Sequence, residues 1–221
     1  MQRVITDIEQ QKKNPNRVNI FLDEEFAFGL HKFVALGLKI GDAMDEAQIL
    51  QLQTEDSIEE AYQRGLRLLS FRARSEHEMR TRLMGYGCDE GVIEQVVARL
   101  TDKGYLNDQQ FAADWVENRI TFRPRGRKLL RMELQQKKLN EEQIESAFKD
   151  LPDEVEIARQ AAMKYSVKLK GLDEQTFKKR LYGFLVRRGF HYEDFKPIME
   201  EMWEELNSSN LLEKEVKNDG R

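Results

Sequence analysis

Apolar positions change their period once along this chain, near residue 56. Upstream they alternate. Val4, Ile5 and Ile8 mark a first strand over Arg3 to Gln10. Val18, Ile20 and Leu22 alternate with Asn19 and Phe21, and Phe26, Phe28 and Leu30 with Ala27, Gly29 and His31. A period of two predicts half-buried strands, here an antiparallel meander over residues 3–31. Its turns fall at Asn14-Pro15-Asn16 and at Asp23-Glu24-Glu25. A short helix over 32–37, ended near Gly37, and another over 45–53, after Gly41-Asp42, supply the cover that so small a sheet needs.

From Ser57 onward the period is helical, and the pattern repeats at a shift of 51 residues. Met79, Leu130 and Leu181 fall in register, as do Leu83, Leu134 and Leu185. Then come Cys88, Leu139 and Phe190; Ile93, Ile144 and Phe195; Val97, Phe148 and Met199; Leu100, Leu151 and Met202. Each copy reads as three helices, over 58–72, 76–86 and 90–102 in the first. Ser57 with Glu60, Ser75 with Glu78, Asn107 with Gln110, Asn140 with Gln143, and Asp153 with Glu156 have the spacing of helix starts. Gly87, Lys138 and Gly189 share the register where each second helix stops.

The fold class that follows is mainly α. Three tandem three-helix repeats form an elongated, curved array behind a small N-terminal antiparallel β-meander with short helices. The divisions are 1–56 for the meander and its helices, 57–106, 107–152 and 153–206 for the repeats, and 207–221 for a disordered tail. A three-helix unit of this size buries little alone, so stacked copies stabilise one another.

Composition adds limits. The 221 residues include 34% charged side chains and four prolines, which suits long amphipathic helices. Cys88 is the single cysteine, so no internal disulfide forms, and a reducing cytoplasm fits. No apolar run reaches the roughly 20 residues of a membrane span, and the first residues lack a secretion signal. The expectation is a soluble cytoplasmic protein. His31, His77 and His191 are isolated, and neither a Ser-His-Asp or Cys-His arrangement nor a glycine-rich phosphate loop is present. No enzyme, cofactor, metal or small-molecule substrate is indicated. Cys88 aligns with core positions, and Trp115 and Trp203 read as packing residues or exposed anchors.

Charge is distributed unevenly. The net value is -4, yet Arg119, Arg123, Arg125, Arg127, Lys128 and Arg131 give a stretch of thirteen residues a charge of +6 with no acid. Pro124 and Gly126 put its centre in a turn. Arginine there can grip phosphate or carboxylate with two hydrogen bonds, and the following helix N-terminus adds free N–H groups. The alternative is a solvated charged loop. Arg72, Arg74, Arg80 and Arg82 occupy the first repeat's equivalent turn, interrupted by Glu76 and Glu78, and either extend the basic track or make surface ion pairs. Lys178, Lys179, Arg180, Arg187 and Arg188 form a third group. Glu193 to Arg221 is acidic, with a net charge of -5, and either serves contact or is a solvated helix and tail.

The ordered combination resembles a known family. FLDEEFAFGL is followed by LRLLSFRARSEHEMRTRL and GYGCDEGVIEQVVARLTDKGYLNDQQFA, then RPRGRKLLRMELQQKKL and FLVRRGF. These segments are similar to the RecX recombination regulators over residues 3–206, most specifically from Leu69 to Ala112. The resemblance implies tandem three-helix repeats that bind the RecA recombinase, lie in the groove of its nucleoprotein filament and modulate strand exchange and ATP turnover, in DNA repair and the SOS response. It also implies that some members bind DNA, single- or double-stranded, and that no catalytic residue is carried over. The long segment before the first repeat occurs in only part of the family. The alternative from the residues themselves is a helical-repeat DNA-binding module that acts without a recombinase.

Overall fold

Strands β1 (Arg3–Gln10), β2 (Arg17–Leu22) and β3 (Glu25–His31) realise the alternation at the N-terminus in the computed structural model, which describes the backbone of residues 2–218 and the side chains of residues 2–206. A fourth strand, β4 (Ala43–Met44), was not expected. It pairs with β1 and gives an antiparallel sheet of order β3-β2-β1-β4. The β2–β3 turn uses Asp23 and Glu24 at φ 52° and 69°. Tight hairpins need that left-handed backbone, and acidic residues tolerate it less readily than Asn-Gly. Here the Asp23 carboxylate accepts from Val4 N at 3.0 Å and from Arg3 Nε at 2.9 Å, which offsets the strain.

Ile5, Ile20, Leu22, Phe28, Leu30 and Met44 form the sheet's buried face, with Ile49 and Leu52 packed beneath it. Those last two belong to α1 (Glu46–Phe71), a single continuous helix. The expected helices over 45–53 and 58–72 are therefore one, and the division at 56 falls inside it. Asp45 and Gln48 make the capping box. Ser57 makes no cap, because no breaker interrupts the run and its hydroxyl donates to the Gln53 carbonyl. Asp56 explains the continuity: mid-helix, its carboxylate accepts from Arg17 and from His31 N, fastening the sheet to the helix. The helix expected over 32–37 is a 3-10 turn, Val34–Gly37.

The first repeat is completed by α2 (Glu76–Gly85) and α3 (Glu90–Asp102). The second comprises α4 (Asp108–Phe122), α5 (Arg127–Gln136) and α6 (Glu141–Phe148). The third comprises α7 (Glu154–Ser166), α8 (Glu174–Arg187) and α9 (Tyr192–Asn218), with a 3-10 turn, Val167–Leu169, lengthening its first loop. The segment 207–221, expected as a disordered tail, has helical backbone in α9 as far as Asn218; its side chains and residues 219–221 lie outside the described residues.

All eighteen positions of the internal repeat are buried except Cys88 and Leu151, which are partly buried against their own repeat's core. The predicted stops also hold. Gly87, Lys138 and Gly189 have φ of 79°, 61° and 87°, and in each case the residue that follows donates its N–H back to Leu83, Leu134 or Leu185. Ser75 and Asn140 cap their helices with side chains, whereas Asp153 caps without a side-chain hydrogen bond. The chain forms two compact units, Met1–Asn107 and Asp108–Arg221. The first holds the sheet and repeat one, the second repeats two and three.

Candidate functional site

Phe122 closes α4 and Arg127 opens α5, so the basic stretch spans a helix end, a short connector and a helix start. The connector is held by backbone. Arg123 N donates to Arg119 O at 2.8 Å, and Gly126 N donates to Arg188 O at 2.8 Å. A Cβ on Gly126 would fall on the Gly189 carbonyl and lie 2.6 Å from Glu154 Oε1. Gly189, itself left-handed, would place a Cβ 2.6 Å from that of Leu129. The two glycines thus press the second repeat's turn against the end of α8. That contact carries Arg188 to the arginines of the connector.

Four guanidinium groups gather there, and two of them, Arg119 and Arg125, meet one carboxylate. Glu133, on α5, accepts from Arg119 Nε at 3.0 Å and from Trp115 Nε1 at 2.8 Å, and pairs with Arg125. Arg119 also lies over the Trp115 ring, 4.1 Å from its centre. Arg188 donates to Pro124 O at 3.4 Å and covers Phe184 at 4.9 Å. Burial, then the charges of Arg119, Arg188 and Arg123, hold the Arg125 guanidinium below its usual pKa. Burial, then Arg123, does the same to Arg188. Like charges this close favour an anion between them. Trp115 is therefore a half-buried member of this cluster, and Trp203 packs on Phe177 at 5.3 Å.

The expected run of six uncompensated charges is not what the fold presents. Glu133 pairs with Arg119 and Arg125. Arg131 is paired with Glu141 and Glu145 and lies 5.4 Å from the Phe148 ring. Arg127 donates to Pro152 O and sits beside Glu154, whose carboxylate accepts from Arg127 N at 3.0 and 3.2 Å. Glu154 so caps α5, a task its own N-cap residue, Gly126, cannot perform. Burial pushes the Glu154 carboxyl above the ordinary carboxylate range. The acids were invisible in the stretch because they come from α5, α6 and α7.

Arg123, Lys128 and Arg187 remain exposed and make no ion pair among the described residues. Lys128 and Arg187 flank a groove floored by Leu129, Met132, Val186 and Phe190. Lys178 pairs with Glu174 within α8, while Lys179 and Arg180 are exposed.

In the first unit, Arg72 pairs with Glu78 at 2.7 Å and Arg80 with Glu76 and Glu94. Arg74 Nε donates to Leu68 O at 3.3 Å, and burial, then Arg72, lowers its pKa. Ion pairing therefore accounts for Arg72 and Arg80. Among the described residues no group of three or more His, Cys, Asp or Glu is placed to hold a metal ion. No helix there is long and apolar enough to cross a membrane.

Known proteins match this chain over almost its whole length. Residues 3–45 match the regulatory protein RecX N-terminal domain. Residues 61–100, 107–147 and 152–199 match the RecX first, second and third three-helix domains. The regulatory protein RecX of Bacillus licheniformis is 33% identical over 201 residues, covering 89% of this chain and 76% of the relative. That of Bacillus subtilis is 33% identical over 216 residues, covering 96% and 81%. A crystal structure of regulatory protein RecX superposes with a TM-score of 0.72 at 27% identity, covering 90% of this chain and 99% of that one. RecX from Lactobacillus salivarius, at 23% identity and a TM-score of 0.57, covering 67% and 97%, supports the fold alone.

Proposed function

Because the chain belongs to the RecX family of regulatory proteins, we propose that it is a non-enzymatic cytoplasmic regulator, an inhibitor, of a RecA-type recombinase. It binds the recombinase–DNA filament and restrains strand exchange and ATP turnover. The observation that carries this reading is the corner where Arg119, Arg123, Arg125 and Arg188 gather while Glu133 pairs with only two of them, Arg119 and Arg125. A corner with more cations than anions suits a phosphate or carboxylate of a partner, because both accept two hydrogen bonds from one guanidinium. The exposed Arg123, Lys128 and Arg187 supply the contacts left over from folding.

A filament offers repeated protein and DNA surfaces, so several weak contacts reinforce one another. The test is recombinase-catalysed strand exchange and ATP hydrolysis with the protein added at increasing ratio. Both should fall; no effect at molar excess would refute the proposal. Replacing Arg123, Lys128 and Arg187 together with Ala should weaken inhibition while leaving helicity and thermal stability unchanged. Binding to filament and to naked DNA over a salt series separates a filament regulator from a DNA-binding module that needs no recombinase. Equal affinity for both would favour the module.

A further inference from the structure

The internal repeat extends to a position that packing does not explain. Phe71 is the last residue of α1 and Phe122 the last of α4. They are related by the same 51-residue shift as the core. Yet Phe71 is 78% exposed and Phe122 70% exposed. Each is followed by Arg-x-Arg and then by the residue that caps the next helix: Arg72, Arg74 and Ser75 in one, Arg123, Arg125 and Gly126 in the other. A buried aromatic recurs in a repeat because the core needs it. A single exposed ring is ordinary, but one that recurs at the same repeat position serves no core, and burying it against a partner would be favourable.

Each arginine pair is divided in its duties. Arg74 and Arg125 turn inward, Arg74 onto the Leu68 carbonyl and Arg125 onto Glu133, and hold the corner. Arg72 and Arg123 are exposed, next to the ring. Arg72 is extended, at φ -166° and ψ 157°, and also holds Glu78. Arg123 has no ion pair and is the stronger free cation. An exposed ring followed in sequence by an exposed arginine matches the two halves of a nucleotide, a base that stacks and a phosphate that pairs.

We propose that Phe71 and Phe122 are base-stacking platforms for single-stranded DNA, Phe122 working with the exposed Arg123 that follows it. The proposal rests on the reading that this protein contacts the DNA of a filament. DNA suits the pattern better than a protein partner does, because each unit couples one exposed ring to a basic residue, as each nucleotide couples one base to one phosphate. The first loop of the third repeat, outside the 51-residue register, carries an apolar-basic-x-basic run without the ring, Val167, Lys168, Leu169 and Lys170, with Val167 62% exposed. It contributes phosphate contact only.

The experiment uses the full chain and two fluorescent strands of equal length, oligo(dT) and an abasic deoxyribose-phosphate strand, read by anisotropy. Phe122→Ala and Phe71→Ala should each weaken oligo(dT) binding roughly 5- to 100-fold and leave abasic-strand binding unchanged. Phe122→Leu, which keeps apolar bulk, should behave like Phe122→Ala. Arg123→Ala should weaken both strands, and Val167→Phe should strengthen oligo(dT) alone. Circular dichroism should be unchanged throughout, since these side chains are exposed. Wild-type affinity in the Phe variants, equal losses on both strands, or no wild-type binding to oligo(dT) would overturn the proposal. Phe variants that bind oligo(dT) normally but lose the filament would make the rings protein anchors, overturning stacking and leaving the regulator reading intact. Base-dependent binding with no effect on strand exchange would do the reverse.

Discussion

Gly126 and Ser75 occupy one position of the repeat, the N-cap of the middle helix, and show how context reverses a rule. Serine at an N-cap ordinarily adds about 1 kcal/mol. At 126 its Cβ meets the Gly189 carbonyl and Glu154. Gly126→Ser should therefore destabilise the protein by about 1–3 kcal/mol, seen as a lower urea midpoint; a stabilised variant would show that the two turns are not pressed together. Arg125 and Arg123 make a similar contrast. Arg125→Ala strips Glu133, whose side chain is 12% exposed, of a partner. The expected loss is on the order of 1–3 kcal/mol, whereas Arg123→Ala should change stability by less than about 0.5 kcal/mol. Equal denaturation midpoints for the two variants would contradict this division between a folding arginine and a binding one.

Among the elements, α5 depends most on its neighbours. Its N-terminus is capped by Glu154 of α7 and its C-terminus stops at Lys138, a left-handed residue where the other two repeats have Gly. A side chain in that region costs roughly 1–2 kcal/mol, against a smaller entropic cost for Gly. Lys138→Gly should accordingly raise stability by roughly 0.5–1 kcal/mol, measurable as an upward shift in midpoint; a drop would mean that the lysine side chain holds the turn. Burial raises the pKa of Glu154, so the folded chain binds that proton more tightly than the unfolded one. The associated stability is complete below the unfolded carboxylate range and is lost as pH rises through the folded value. Wild type should lose more stability than Glu154→Gln, which keeps an acceptor for Arg127 N, as pH rises out of the ordinary carboxylate range. Parallel pH profiles would remove the burial effect from the account.

For the molecule as a whole, the net charge of -4 and the +6 stretch are both poor guides to its surface. What counts is the cations left after folding, among them Arg123, Lys128 and Arg187 in the second unit. About three such contacts to single-stranded DNA give a log–log salt slope near -2. Titrations between low and moderate salt should find it, and the triple Ala variant should flatten it. A slope several times steeper would mean that the paired arginines also release their carboxylates to bind DNA.

Sequence by itself determined the meander, the three-helix repeats and their core, because apolar period and left-handed stops are local properties that each copy states again. Met79, Leu130 and Leu181 needed no coordinates to be placed inside, and Lys138 was placed in its turn by register with two glycines. The continuity of α1 was less legible, since Ser57 and Glu60 imitate a helix start. The same 51-residue shift, applied to exposed positions as well as buried ones, would have found Phe71 and Phe122. Which arginines are available depends instead on how distant helices pack. Glu133, Glu141, Glu145 and Glu154 reach the basic stretch from other helices, and Arg188 arrives through the contact of Gly126 with Gly189. Periodicity reports which face of an element is buried, whereas an ion pair depends on where two distant elements meet.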